Sequence, residues 1–251
     1  MHDNTKRFSN RVDNYVKYRP SYPAEIIPFL ERIIQLDSSF VVADVGSGTG
    51  ILSKLFLENS NIVYGVEPNA EMRGKAEELL QNYASFKTIN GTAEQTSLPK
   101  ASIDIITAAQ AFHWFDVNKT KAEFKRIIKP GGYCMLLWNE RLVSSAFENA
   151  YEQLLLTHAI DFKEVNHKNI DEEKITAFFA PHHFIKQSFS NRQVFDFDGL
   201  KGRLLSSSYT PDENHAGYYN MIEALRSIFT TFNQNNSVQF NYETKLYVGN
   251  L

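Results

Sequence analysis

Apolar residues along this chain of 251 residues follow two rhythms that alternate. Short apolar-rich segments at 40–45, 62–66, 85–90, 103–108 and 133–139 have the length of buried strands. Between them, at 50–58, 70–82 and 118–128, apolar positions recur three and four apart, which is helical spacing. A shorter turn falls near Ala93. Strand–helix alternation of this length predicts an α/β fold: a mostly parallel sheet with helices on both faces. Ahead of the first strand, Ile26, Ile27, Leu30, Ile33 and Ile34 predict a helix within 24–36. Phe8, Val12, Tyr15 and Val16 share an earlier helical face, and Pro20 and Pro23 interrupt helix between the two. Lys129-Pro130-Gly131-Gly132 stops the last helix before the 133–139 strand.

Beyond Asn139 the rhythm loosens. Ala146, Phe147, Ala150, Tyr151, Leu154 and Leu155 share a helical face, and 172–179, 200–205 and 218–232 are further helical segments. The polar stretch 161–170 predicts a loop, and 183–189 and 193–197 are strand-like. Alternation over 238–248 predicts a closing strand, antiparallel to its neighbours.

The most informative stretch ends the first strand. Val41-Val42-Ala43-Asp44-Val45 runs into Gly46-Ser47-Gly48-Thr49-Gly50 and then into helix. Glycines let the backbone take strained angles and let a ligand approach closely. The helix N-terminus beyond the turn offers free N–H groups to an anionic group. Glu67 ends the second apolar run, at the distance where doubly wound folds place a ribose-binding acid. A cofactor with a ribose follows. Ile51 stands where the dinucleotide fingerprint places its last glycine, which argues against NAD.

Asp44-x-Gly46-x-Gly48-x-Gly50 with Glu67 resembles the first motif of class I S-adenosylmethionine-dependent methyltransferases. Gln110-Ala111-Phe112-His113-Trp114-Phe115 after the fourth strand, and Tyr18-Arg19-Pro20-Ser21-Tyr22-Pro23 near the N-terminus, resemble the trans-aconitate methyltransferase-like small-molecule group. The likeness runs from about Phe8 to Asn139. It implies a Rossmann-like doubly wound sheet with S-adenosyl-L-methionine as cofactor. It implies that Gly46, Ser47, Gly48, Thr49 and Gly50 cradle the methionine portion, and that Asp44 helps to hold its amino group. Glu67 would take both ribose hydroxyls, with Pro68 and Met72 beside it, and Thr92, Ala93 and Glu94 would meet the adenine. Gln110, Ala111 and Phe112 would line the pocket. An N-terminal lid with Tyr15, Tyr18, Arg19 and Tyr22 would cover the cofactor. His113 is the candidate general base and Trp114 a candidate pocket wall. Arg19 is suited to pair with an acceptor carboxylate by a bidentate fork.

The expected organisation is one methyltransferase domain over 1–251: a lid at 1–36, a cofactor-binding core at 37–139, a substrate-side elaboration at 140–236 and a closing strand at 237–251. An apolar fraction of 43% supplies a core, and a net charge of −3 gives no global field that attracts nucleic acid. Cys134, the one cysteine, sits in an apolar run and reads as a buried hydrophobe. No stretch approaches the roughly 18 apolar residues of a membrane span. The first residues form no apolar signal segment, so the expectation is a soluble cytoplasmic protein. No metal-ligand spacing and no Gly-x-Ser-x-Gly elbow is present. The expected partner is a small-molecule acceptor. A macromolecular acceptor (RNA or protein) and a cofactor-binding regulator without transfer remain open, as does an NAD-dependent oxidoreductase.

Overall fold

The computed structural model describes residues 12–160, 162 and 172–251. Two expectations, the place of Phe8 on a helix face and the loop at 163–170, lie outside the described residues. Two helices, α1 (Val12–Tyr18) and α2 (Ile26–Ile34), precede the sheet. The alternating core follows as β1 (Val41–Val45), α3 (Ile51–Glu58), β2 (Ile62–Val66), α4 (Ala70–Leu80), β3 (Phe86–Ile89) and β4 (Ile103–Ala109). A 3-10 turn (Phe112–Trp114), α5 (Val117–Ile127) and β5 (Ile128–Arg141) complete it. The last part adds α6 (Ala146–His158), α7 (Glu172–Phe179), β6 (Phe184–Phe195), α8 (Phe197–Leu205), α9 (Tyr218–Phe232) and β7 (Val238–Gly249).

Seven strands form one sheet in the order β3-β2-β1-β4-β5-β7-β6. Pairs from β3 through β5 are parallel, and β7 is antiparallel to both β5 and β6. This is the doubly wound, mostly parallel arrangement that the alternation predicts, with the antiparallel closing strand in place. The reversal of direction along the sheet, from β1 outward to β3 and then from β4 outward to β5, puts the switch point between β1 and β4. Ligands of open α/β sheets bind beyond the strand C-termini at that point.

Each face of the sheet carries its own core. Ala43, Val45, Ile106, Leu136 and Trp138 pack with Phe124 of α5 and Phe178 and Phe179 of α7. Val42, Ile105, Met135 and Leu137 pack with Leu30 of α2 and Phe56 of α3 on the other. The alternation is the period of two expected of strands buried on both faces. A third cluster joins Leu154 and Leu155 of α6, Leu200 and Leu204 of α8, Leu225 of α9 and Phe240 of β7.

Two differences from the sequence reading go beyond a shift of a few residues at an element's end. Lys129-Pro130-Gly131-Gly132 does not separate helix from strand; α5 ends at Ile127 and β5 already begins at Ile128, which pairs with Ile103. The strand-like segments 183–189 and 193–197 are one strand, β6, at the edge of the main sheet. Its polar middle, Ser188 to Arg192, hides the continuity because an edge strand buries only part of its surface. Cys134 is fully buried in β5, where burial pushes its thiol far above the ordinary range.

Candidate functional site

At the switch point the strand ends open onto a cavity of about 240 Å³. Gly46 and Gly48 form its floor from the turn after β1, and Glu67, Pro68, Asn69 and Met72 its wall from the end of β2. Thr92, Ala93 and Glu94 reach it from the turn after β3. Ala109, Gln110, Ala111, Trp114 and Phe115 reach it after β4. Tyr15 and Arg19 close it from the N-terminal side, opposite Ser208 and Tyr209.

Glu67 is the best-defined polar group on this wall. One carboxylate oxygen accepts the Gly48 amide at 2.9 Å and the other the Asn69 amide at 2.8 Å. Each oxygen keeps a further lone pair, so a pair of neighbouring hydroxyls can be bound at once. Burial raises the Glu67 carboxyl above its ordinary value, with the two amides pulling it back toward the charged form. Gly48 takes φ +56, and a Cβ there would stand 3.5 Å from the Met72 methyl across a narrow slot. Gly46 is needed for a different reason: a Cβ there would lie 2.7 Å from that of Ala111, so the turn and the segment after β4 touch through it. The Glu94 carboxylate accepts the Asp116 amide at 2.9 Å, tying the third-strand turn to the start of α5. A ribose-bearing cofactor fits these residues: a buried carboxylate with spare lone pairs, beside a turn whose positive φ at Gly48 favours glycine and leaves the approach free of a side chain.

Other sequence-predicted residues stand elsewhere. Asp44 is 1% exposed and does not reach the cavity. Strand alternation turns it with Val42 toward α3, where one oxygen accepts the Ser53 hydroxyl at 2.7 Å and the other the Thr107 hydroxyl at 3.0 Å. Ser47 lies over Gly65 of β2, Thr49 is buried, and Gly50 begins α3 against Leu80. Phe112 is core, edge-to-face with Phe178 at 4.8 Å and with Trp138 at 6.3 Å. His113 lines no described cavity; the residue is exposed at the surface, but its ring packs on Trp114, 4.6 Å between centroids, and local burial holds its pKa down at about 4. Tyr18 packs on Phe195 and over Gly202, away from the cavity.

The Asp44 environment has a measurable consequence. Burial raises its carboxyl from an ordinary 3.8 to about 6. The fold therefore holds this proton more tightly than the unfolded chain does. The stabilising contribution is complete below about pH 4 and is lost as pH rises through about 6. Asp44→Asn cannot titrate. Relative to it, the wild type is expected to lose about 3 kcal/mol between pH 4 and 7, at roughly 1.4 kcal/mol per pKa unit. Urea melts of both proteins across that range check this, and a constant difference between them would contradict it.

A second chamber of about 80 Å³ adjoins the first. Tyr15, Arg19, Gln110 and Tyr209 belong to both, so these four form the neck between them. Its own walls carry Tyr22, Glu140, Arg141, Arg203 and Tyr242. Glu140 pairs with Lys245 at 2.5 Å, and Arg141 pairs with Glu152 while lying over the Tyr151 ring. One Arg141 nitrogen, Nη1, is buried without a partner. Arg203 is 7% exposed and donates to Tyr242 Oη at 3.3 Å and Ser207 Oγ at 3.2 Å. Among the described residues neither Arg203 nor Arg19 pairs with a carboxylate. Burial and then the neighbouring Arg203 charge lower the pKa of Arg19. Sequence reasoning missed Arg141 and Arg203. Arg203 left a signal: it sits three after Leu200 and one before Leu204, on the apolar side of its helix.

Among the described residues no cluster of His, Cys, Asp and Glu could hold a metal ion, and no helix is long and apolar enough to cross a membrane.

A doubly wound sheet with a ribose-type carboxylate and a glycine floor at its switch point defines a nucleoside-cofactor protein. Known proteins sharpen that class. Residues 43–136 match the model of a methyltransferase domain. An uncharacterized methyltransferase of Geobacillus kaustophilus is 32% identical over 162 residues, covering 62% of this chain and 73% of that protein. An uncharacterized methyltransferase of Mycobacterium tuberculosis is 34% identical over 139 residues, and the match spans about half of each, 55% of this chain and 54% of that protein. A structure from Anaeromyxobacter dehalogenans, assigned to the type II methyltransferases, superposes with a TM-score of 0.68 at 22% identity. That superposition covers 93% of this chain and 98% of the other. The chain belongs to the methyltransferase family. The cofactor of that family's doubly wound members is S-adenosylmethionine.

Proposed function

We propose that the protein is an S-adenosylmethionine-dependent methyltransferase acting on a small acceptor that presents a carboxylate. The observation that carries this reading is the pair of joined chambers. One suits a nucleoside cofactor, and the other is small and holds Arg203 with no acidic partner among the described residues. A buried guanidinium is costly unless an anion meets it, and its planar fork matches a carboxylate.

S-adenosylmethionine supplies a methyl group already activated on a positively charged sulfur, so transfer is an in-line displacement. The residues then have to align two partners and keep water out. Glu67 orients the ribose, and Thr92 to Glu94 face the adenine. Trp114, Phe115 and Tyr15 close the chamber against solvent. Arg203 and Arg141 hold the acceptor in the second chamber so that its nucleophilic oxygen faces the neck. Such alignment lowers a barrier by roughly 7–11 kcal/mol in favourable cases. A carboxylate is ionised at neutral pH and needs no general base, and none of the neck residues is a histidine or an acid.

The test is incubation with methyl-labelled S-adenosylmethionine and a panel of small carboxylic acids. The expected product is a base-labile methyl ester. Label in a base-stable amine or ether overturns the carboxylate reading. Cofactor binding without any transfer favours a regulatory protein. Transfer to RNA with a steep salt dependence favours a macromolecular acceptor.

A further inference from the structure

We infer that Gln193 is a positioning residue of the second chamber: through Tyr242 it fixes the Arg203 guanidinium, and through the Tyr18 carbonyl it latches the N-terminal segment that walls both chambers. Seating an anion on Arg203 and closing that segment are thereby linked. The functional meaning of the link rests on the reading of Arg203 as the acceptor's anion seat.

Gln193 lies on β6, where its neighbour but one, Asn191, pairs with Tyr242 of β7. Alternate residues of a strand share a face, so Gln193 reaches the Tyr242 hydroxyl diagonally. Donation runs in one direction through this group. Arg203 Nε only donates, and it does so to Tyr242 Oη at 3.3 Å. The Tyr242 proton is then directed to Gln193 Oε1, at 2.9 Å. With its oxygen engaged, the amide turns Nε2 to the Tyr18 carbonyl, which accepts at 3.1 Å. Both ends impose the same orientation on the amide, because a guanidinium only donates and a carbonyl only accepts. Among the described residues Arg203 makes its other bond from Nη1, to Ser207 Oγ, which leaves Nη2 to meet an anion.

The far end of this chain of bonds is a wall of both chambers. Tyr15, Arg19, Pro20 and Tyr22 line the second chamber, and Tyr15 and Arg19 line the first as well. The segment docks through a small contact and a few polar ties. The Tyr18 ring sits where Gly202 leaves room, since a Cβ there would lie 1.9 Å from it. Arg19 donates to the Ser206 carbonyl at 3.0 Å, and Asn191 donates to the Ser21 carbonyl at 2.7 Å. A short surface segment held in this way opens at much lower cost than the core. The tie through Gln193 continues to the Arg203 guanidinium. An opening segment withdraws the Tyr18 carbonyl, frees the amide to turn, and so loosens Tyr242 and Arg203 in sequence. By linkage, an anion that steadies Arg203 favours closure by the same factor by which closure tightens the anion.

Trypsin reads the latch. It cuts after Lys17, in the last turn of α1 beside Tyr18, when the segment opens, and Pro20 blocks cutting after Arg19. With opening fast relative to cutting, the rate at which the fragment beginning at Tyr18 appears follows the open population. Gln193→Met and Tyr242→Phe are each expected to raise that rate about 3- to 10-fold, the range for one neutral hydrogen bond, with little change in melting temperature. The double variant should be cut no faster than the quicker single, because one break opens the chain. NMR of the Arg203 Nε–H group, assigned by its loss in Arg203→Met, reads the other end. Its hydrogen exchange should quicken in Gln193→Met, although Gln193 makes no hydrogen bond to Arg203. Gln193→Glu separates the halves, since glutamate keeps an acceptor for Tyr242 but has no donor for Tyr18. It should be cut as fast as Gln193→Met while the Nε proton stays protected. Unchanged cutting in folded variants, additive effects in the double, or an Nε proton indifferent to Gln193 overturns the latch. If Gln193→Met does not fold, Gln193→Glu decides the Tyr18 half and Tyr242→Phe the Arg203 half. No acceptor enters these measurements, so a failed latch leaves the methyl-ester test standing, and a failed methyl-ester test leaves the latch standing.

Discussion

Gly48→Val is expected to give a folded protein that has lost its cofactor affinity by 100-fold or more. The reason lies in two features of one residue. The backbone at Gly48 sits at φ +56, where a β-branched side chain costs on the order of 1–2 kcal/mol. The Gly48 amide also donates to Glu67 at 2.9 Å, so any relief of that strain by rotating the peptide moves the carboxylate proposed to bind the ribose. If the peptide does not rotate, the valine methyls fill the slot between the turn and the Met72 methyl, which lies only 3.5 Å from a single Cβ. Either route closes the cofactor chamber. The fold itself has little to lose, since no backbone lies within contact of that Cβ. A melting temperature lower by only a few degrees should accompany the loss, at about 2–4 °C per kcal/mol for a domain of this size. Calorimetric titration with S-adenosylhomocysteine checks the first effect and thermal unfolding the second. Normal affinity in the variant would refute the placement of the turn.

The elements that set this chamber were legible because their signals are local. The run at 62–66 is bounded by polar residues on both sides, and β2 coincides with it. The glycine spacing and the acid at Glu67 are likewise local, since turn and strand end are each a few residues long. What failed to be legible is direction and reach. Asp44 has the residue type a cofactor's amino group calls for, yet strand parity turns it toward α3, and parity is not visible until the sheet faces are known. Phe112 and His113 share a turn with Trp114, and one turn cannot aim all three into the same cavity. The apolar run that marks β5 ends at Asn139, but the strand continues to Arg141 because β7 pairs with it that far, from Cys134–Gly249 to Arg141–Tyr242. That long-range pairing carries Arg141 to the second chamber. Arg203 arrives from a helix that the third core cluster holds in place, through contacts between segments dozens of residues apart.

Arg203→Met should separate stability from acceptor recognition by moving them in opposite directions. Arg203 is 7% exposed, is held by two neutral hydroxyls and has no acid beside it among the described residues. Methionine follows the path of the arginine stem without the charge. The partner left behind is not stranded, because the Tyr242 hydroxyl still donates to Gln193 Oε1 at 2.9 Å. Replacing buried charge by apolar volume commonly stabilises by on the order of 1–4 kcal/mol, so thermal unfolding of the variant should move upward. The acceptor then loses its counter-charge. Truncating one partner of a buried charged pair costs on the order of 2–5 kcal/mol, which corresponds to a fall of at least about 30-fold in kcat/KM for the carboxylate. S-adenosylhomocysteine should bind as before, because Arg203 lines only the second chamber. A merely structural arginine predicts the opposite pattern, with a lower melting temperature and activity lost only in proportion to unfolding. Measuring melting temperature, cofactor affinity and kcat/KM on one preparation therefore distinguishes an anion seat from a core prop. The combination that would sink the carboxylate reading is an unchanged kcat/KM in a fully folded variant.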